Sequence, residues 1–180
     1  MNLKIAYNKN KPLINSTLLA ICYFLFCWST DFGDATKRLF MFLMLFLPGL
    51  TFPLTTCYFK RKHDITPDLL KLVHLVLSVG IYFGSVWLFS GEGRIPYITL
   101  LAGFSGAFLF LFITRILLKK LIKWTHIIVA SILSGLVFMP YEYIENNGFL
   151  LGLAVSLWTL INGVILNQEY RKTNTTVSTI

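Results

Sequence analysis

Charged residues are scarce in this chain of 180 residues. They make up 13% of it, whereas about a quarter is usual in a soluble domain, and hydrophobic residues make up 56%. A water-soluble core cannot bury that much apolar surface, so the composition excludes an ordinary globular domain. Acidic residues are rarer still, with 8 Asp and Glu against 16 Lys and Arg.

Cysteine is also scarce. No two of the 3 cysteines, Cys22, Cys27 and Cys57, form a Cys-x-x-Cys pair, which argues against a disulfide framework and a zinc site. The sequence also lacks His-x-x-x-His, paired carboxylates within an apolar stretch and a glycine-rich phosphate loop. We therefore predict no metal site and no cofactor.

The charged residues are bunched, and long apolar stretches separate the bunches. A helix needs about 20 apolar residues to cross the hydrocarbon of a bilayer. Six such stretches predict an all-α, polytopic membrane protein with six transmembrane helices arranged as three hairpins. The predicted spans are 12–30, 39–59, 72–90, 95–115, 124–141 and 148–168. They form a single bundle over residues 1–170, and residues 171–180 are predicted to be a disordered cytoplasmic tail.

The basic residues predict the orientation, because Lys and Arg in short loops are retained on the cytoplasmic side. The larger group, on one side of the predicted bundle, is Lys4, Lys9, Lys11, Lys60, Arg61, Lys62, Lys71, Arg115, Lys119, Lys120, Lys123, Arg171 and Lys172. The other side has only Lys37, Arg38 and Arg94. Both ends of the chain are therefore predicted to be cytoplasmic, in a bacterial inner membrane.

The positive charge indicates a lipid partner. The basic residues form belts beside apolar spans, not one basic face with interleaved aromatics, so nucleic-acid binding is not expected. Each Lys or Arg near the inner leaflet is attracted to anionic headgroups by roughly 1 kcal/mol. Membrane lipids, and anionic headgroups in particular, are the predicted partners.

One segment recurs along the chain. Residues 69–77 align without gaps on residues 121–129, and each copy contains Lys-x-x-His at the entry to a predicted span. Two readings remain open: an ancestral helical-hairpin repeat, or chance similarity between apolar segments.

Small residues recur on two predicted spans at helical spacing, and membrane helices pack closely at such residues. On span six they are Gly148, Gly152, Ser156 and Gly163, and on span four they are Gly103 and Ala107. We expect both faces to meet other helices. Span two contains Pro48 and Pro53, which predict a kink or, alternatively, freed carbonyls that coordinate an ion or substrate.

Ionisable groups within a membrane are costly and point to function. His74 and His126 each lie three residues after a lysine, and Arg115 closes span four, so all three are predicted near the depth of Asn162. The hypothesis is a cytoplasm-facing site for an anionic headgroup or substrate. The alternative is that Arg115 extends to the interface and each histidine lies one turn inside the headgroups.

Residues 103–106, Gly-Phe-Ser-Gly, resemble the Gly-x-Ser-Gly motif of rhomboid intramembrane proteases. The resemblance implies that Ser105 is a nucleophile activated by a histidine on the sixth span. Predicted span six has no histidine, and His74 and His126 enter from the cytoplasmic side, beyond the reach that activation requires. We therefore expect no enzymatic activity.

These observations favour a non-enzymatic integral membrane protein that is transporter-like or interacts with lipids and anions. A homo-oligomer is one predicted form of the bundle. The alternative is a structural or accessory subunit of a larger membrane complex, with the glycine faces of spans four and six bound to a partner.

Overall fold

The computed structural model describes residues 7–29, 46–59, 66–90, 96–139 and 147–176. All regular secondary structure in these residues is helical. The helices are α1 (Lys11–Ser29), α2 (46–56), α3 (Asp68–Ser90), α4 (Pro96–Leu117), α5 (Trp124–Phe138) and α6 (Gly148–Thr176).

Four of these helices are long and apolar enough to cross a membrane. The qualifying segments are Lys11–Ser29, Asp68–Trp87, Tyr97–Leu117 and Gly148–Lys172. Helix α5 is apolar but has only 15 residues, so it is shorter than the predicted span 124–141. Of the predicted span 39–59, the structure describes residues 46–59, with helix from 46 to 56 that passes through both Pro48 and Pro53.

Helix α6 extends to Thr176, so it continues six residues into the segment 171–180 for which the sequence predicts a disordered cytoplasmic tail. After Gly163 no glycine or proline interrupts the chain. Extending a formed helix by one residue is far less costly than starting a new one, so polar residues continue it beyond the apolar span. Residues 177–180 of the predicted tail lie outside the described residues.

The helix starts follow from local chemistry. Proline begins α4 at Pro96 and lies in the first turn of α1, where its missing N–H would have no helical partner. At the start of α3 the Pro67 carbonyl accepts the Leu70 N–H at 3.0 Å. At α6 the Asn147 side chain caps the helix by accepting the Leu150 N–H at 3.2 Å.

The first and last helices pack together along their length. A side chain at Gly152 would approach the Phe24 carbonyl oxygen to 3.0 Å, and one at Gly163 would collide with Ser16. Between these two glycines, Ser156 Oγ donates to the Ala20 carbonyl at 2.7 Å. The small face of α6 therefore lies against α1 of the same chain.

Helices α4 and α5 are in similarly close contact. A Cβ atom at Gly103 would lie 2.5 Å from the Ser134 carbonyl oxygen and 3.0 Å from Gly135 Cα. Ala107, one turn further along α4, is fully buried. The small face of α4 is therefore occupied by α5, and α4 also packs against α3 while α5 packs against α6.

Helix α2 contacts several other helices. The Phe52 ring is 1% exposed and contacts Phe110 of α4 and Trp158 of α6, with ring centroids 5.3 and 5.6 Å away. On another side, Asn15 of α1 donates to the Thr55 carbonyl at 2.8 Å. Helix α2 therefore joins α1, α4 and α6, while Leu50 and Leu54 on its other face are exposed.

One end of the bundle brings together the starts of α1, α3 and α5 and the ends of α2, α4 and α6. Asn167 of α6 donates to Asn10, beside the start of α1, at 3.2 Å, and the rings of Phe59 and Tyr170 lie 5.7 Å apart. Every basic residue in the described part of the chain belongs to this end. They are Lys9, Lys11, Lys71, Arg115, Lys119, Lys120, Lys123, Arg171 and Lys172. We call it the basic end.

Candidate functional site

His74 is fully buried at the basic end, and both of its ring nitrogens have partners. Its Nδ1 lies 2.7 Å from the Tyr58 hydroxyl, and its Nε2 lies 2.8 Å from the Thr114 hydroxyl. Tyr58 follows α2, His74 is on α3 and Thr114 is on α4, so one imidazole joins three elements. The Phe110 ring, centred 5.8 Å from the imidazole, covers it.

The helical spacing of α3 directs this side chain inward. His74 and Ser78 are one turn apart on the same face, and both are buried. Ser78 satisfies its hydroxyl by donating to the His74 carbonyl at 2.7 Å. The Tyr58 hydroxyl also lies 3.1 Å from the Lys71 carbonyl, so Tyr58 contacts both the backbone and the histidine of the first turns of α3.

A left-handed residue directs a lysine into the same region. Helix α4 ends at Leu117, and Lys119 adopts a positive φ of 49°, the conformation that commonly terminates helices. The chain then turns back, and Lys120 is only 8% exposed. Its Nζ donates to the Cys57 carbonyl at 3.0 Å, which joins the connection between α4 and α5 to the end of α2.

Glu169 of α6 is also buried, at 4% exposure. The Lys120 ammonium and the Glu169 carboxylate are both close enough to act electrostatically on the Cys57 thiol, and Lys120 acts on His74 as well. We define the polar cluster as Cys57, Tyr58, His74, Thr114, Lys120 and Glu169. It combines an ammonium, a carboxylate, an imidazole, two hydroxyls and a thiol within the bundle.

The predicted site residues have different surroundings. His74 belongs to the polar cluster, whereas Arg115 faces the connection between α4 and α5. The Arg115 Nη1 donates to the Ile122 carbonyl at 2.5 Å, and its guanidinium lies 4.7 Å from the centre of the Trp124 ring. His126 is partly buried in the first turn of α5. Their convergence on one cavity stays a prediction.

Asn162 lies fully buried where α6 faces α5. Its Nδ2 donates to the Trp158 carbonyl at 2.8 Å and to the Ser134 hydroxyl at 3.4 Å. Its Oδ1 has no hydrogen-bond partner among the described residues. Asn162 therefore joins α5 to α6 and keeps one unused acceptor.

The residues of the rhomboid-like motif have ordinary helical surroundings. The Ser105 hydroxyl donates to the Ala102 carbonyl of its own helix at 3.2 Å. The motif's two glycines face neighbouring helices, Gly103 towards α5 and Gly106 towards Ser85 of α3. Within the described segments, no group of three or more His, Cys, Asp or Glu side chains is arranged to hold a metal ion.

Of the polar cluster, sequence reasoning singled out His74 alone as a candidate site residue. Lys120 was counted with the cytoplasmic basic residues and Cys57 with the cysteines, whereas Tyr58, Thr114 and Glu169 were not named. The structure, and not the sequence, reveals the position of Lys120. Residues 118–123 alternate between buried and exposed, with Leu118, Lys120 and Ile122 buried, so the lysine shares the inward face of two apolar residues.

The polar cluster supplies hydrogen-bond donors and acceptors together with charges of both signs, away from bulk water. Such groups bind polar or charged ligands strongly, because electrostatic interactions are stronger in a medium of low dielectric constant. Comparison of the chain with protein-family models, with curated proteins and with solved structures finds no match.

Proposed function

We propose that this chain is a non-enzymatic integral membrane protein whose polar cluster holds a polar or anionic ligand, in transport or in lipid binding. In this proposal the chain crosses a bacterial inner membrane six times as three hairpins, with both ends cytoplasmic. The basic end then faces the cytoplasm. Helices α2 and α5 cross alongside the four longer helices.

The observation that carries the proposal is the burial of Lys120, Glu169 and His74 at one end of an apolar bundle. Each of the three is less than one-tenth exposed. Ionisable side chains inside membrane proteins are costly, and they mark ligand and ion pathways. Apolar side chains could join these helices at a lower cost than buried charges, because they pack without a desolvation penalty. Folding alone therefore does not require the three ionisable residues.

Two experiments test membrane insertion. Reporters active only in the cytoplasm or only outside it, fused after Thr66 and after Ile180, are expected to report the cytoplasm at both positions. Fractionation is expected to leave the protein in the membrane until detergent is added. Activity of either fusion on the outer side, or a protein that stays in the aqueous fraction, contradicts the topology.

The ligand is tested by mass spectrometry of small molecules and lipids that copurify in mild detergent. A bound species that is lost in Lys120→Met but retained in Lys9→Met supports binding at the polar cluster, because both lysines are at the basic end and only Lys120 is buried. Equal retention in both variants places any ligand elsewhere and contradicts the proposal.

The second candidate is an accessory subunit of a membrane complex. The glycine faces of α4 and α6 are occupied by α5 and α1, so they leave no room for the partner that the sequence suggested. Helix α3 offers another face, because a side chain added at Gly80 or Gly84 meets nothing within 4 Å. Pairs of glycines at this spacing support close helix packing, so copurification of a stoichiometric partner, lost in Gly80→Leu, favours this candidate.

A further inference from the structure

The connection between α4 and α5 carries a group of positive charges. Lys119 and Lys123 are exposed, and Arg115 is on the last turn of α4, four residues before Lys119. The acidic residues in the described part of the chain are Asp68, which pairs with Lys71 at 2.9 Å, and the buried Glu169. Within that part of the chain, no carboxylate forms an ion pair with these three residues.

The Arg115 side chain is already held in place. One N–H of its guanidinium is bonded to the Ile122 carbonyl, and its planar group stacks over Trp124. A guanidinium has five N–H donors, so most remain for an oxyanion. Since its position is fixed by the backbone and by an aromatic ring, binding an anion costs little further side-chain entropy.

Exposed apolar side chains continue from these charges along both helices. Leu121, between the two lysines, is 84% exposed, and Trp124 is 44% exposed. Further along, Ile116 and Leu109 of α4 and Ile128 of α5 are also exposed. The surface is therefore cationic at the end of the bundle and apolar along its side.

We infer that this surface binds the headgroup of an anionic phospholipid. Arg115, Lys119 and Lys123 contact the phosphate oxygens, and the acyl chains lie along the exposed faces of α4 and α5. The inference rests on the proposed membrane insertion, with the basic end at the inner leaflet. Basic pockets between transmembrane helices on the cytoplasmic side bind anionic headgroups by this chemistry. The polar cluster is a separate site, because Lys120 turns inward from the same connection.

The test uses the full chain purified in mild detergent. Phosphatidylglycerol or phosphatidylcholine with identical acyl chains is added, and native mass spectrometry measures the lipid bound per protein. We expect the wild type to retain phosphatidylglycerol preferentially. The double variant Lys119→Gln with Lys123→Gln is expected to lose this preference by about tenfold, since each charge near the headgroup contributes to attraction. Both side chains are exposed, so the variant keeps its core.

The matched control is the double variant Lys9→Gln with Lys172→Gln. It removes two positive charges from the same end of the bundle and leaves Lys119 and Lys123 intact. It is expected to retain the wild-type preference. If both double variants lose the preference for phosphatidylglycerol equally, the total charge of the protein attracts the lipid. That result contradicts a specific site at Arg115, Lys119 and Lys123. Equal binding of the two lipids by the wild type also overturns it.

A third arm separates the lipid from a soluble anion. Glycerol phosphate is added in large excess, and we expect the bound phosphatidylglycerol to remain, because its acyl chains contribute apolar contacts. Full displacement identifies a soluble phosphate as the ligand and overturns the lipid assignment. A protein that stays in the aqueous fraction without detergent contradicts the proposed function itself, which distinguishes the two failures.

Discussion

The Nε2 atom of His74 lies 2.8 Å from the Oγ1 atom of Thr114, so the imidazole joins α3 to α4. The Thr114 hydroxyl also donates to the Phe110 carbonyl of its own helix at 2.7 Å. On the other side of the ring, Nδ1 lies 2.7 Å from the Tyr58 hydroxyl, which in turn lies 3.1 Å from the Lys71 carbonyl.

Replacing this imidazole is predicted to destabilise the bundle. His74→Ala removes the hydrogen bonds of the imidazole to Tyr58 and Thr114 and opens a cavity beside Phe110, at a cost of about 2–3 kcal/mol in the free energy of unfolding. Thr114→Val is expected to cost less, about 0.6 kcal/mol, the average for a hydrogen bond between membrane helices. Unfolding in mixed detergent and sodium dodecyl sulfate measures both. His126→Ala, at a partly buried position, is the control, and a loss as large as that of His74→Ala contradicts the role given to His74.

The contact between α1 and α6 is predicted to be intolerant of added volume. Gly163→Leu places a large side chain on Ser16 and is expected to lower the free energy of unfolding by at least about 2 kcal/mol. Gly84→Leu adds the same volume where a side chain meets nothing within 4 Å, so its effect is expected to stay within roughly 0.5 kcal/mol. The same unfolding measurement compares them, and similar losses in the two variants rule out this packing.

Lys120 is predicted to shield the Cys57 thiol, at the end of α2, from reagents in solution. Lys120→Ala removes its hydrogen bond to the Cys57 carbonyl, and we expect N-ethylmaleimide to modify Cys57 roughly tenfold faster, because a charged hydrogen bond contributes about 1.5 kcal/mol or more. Peptide mass spectrometry follows each cysteine separately. Lys119→Ala is the control at an exposed position, and Cys22, which is exposed, should react equally in all variants. If Cys57 reacts at the same rate in Lys120→Ala and in the wild type, Lys120 does not shield this thiol.

Glycine is predicted to stabilise the turn after α4. Lys119 has the left-handed backbone that glycine adopts without steric cost, so Lys119→Gly is expected to raise the free energy of unfolding by roughly 0.5–1 kcal/mol. Lys123, with φ −68° and ψ 142°, has extended backbone. Lys123→Gly should therefore lower the stability by about 0.5 kcal/mol, because glycine only adds entropy to the unfolded chain. Changes of the same sign in both variants contradict this explanation.

The apolar helices could be predicted from the sequence because length and hydropathy alone decide whether a helix suits a membrane. Lys11–Ser29 and Tyr97–Leu117 lie close to the predicted spans. The partner of each helix could not be predicted in this way. Small residues on α6 indicate close packing, but nothing in their spacing specifies α1, which is distant in the chain.

The polar cluster was harder to predict, because burial of a charged residue depends on one backbone angle. Lys119 and Lys120 are identical in chemistry and adjacent in sequence, yet the left-handed turn at Lys119 leaves the first exposed and the second buried. The contact of Tyr58 with His74 likewise joins the end of α2 to helix α3. A hydropathy pattern contains no information about either feature.

The packing of α1 against α6 also has a consequence for biogenesis. The ribosome makes α1 long before α6, so Ser16 and Ala20 remain without the helix that covers them until α6 has been synthesised. The contact between the two helices cannot form until synthesis has passed Gly163. A translation product that ends before Gly163 therefore leaves Ser16 uncovered.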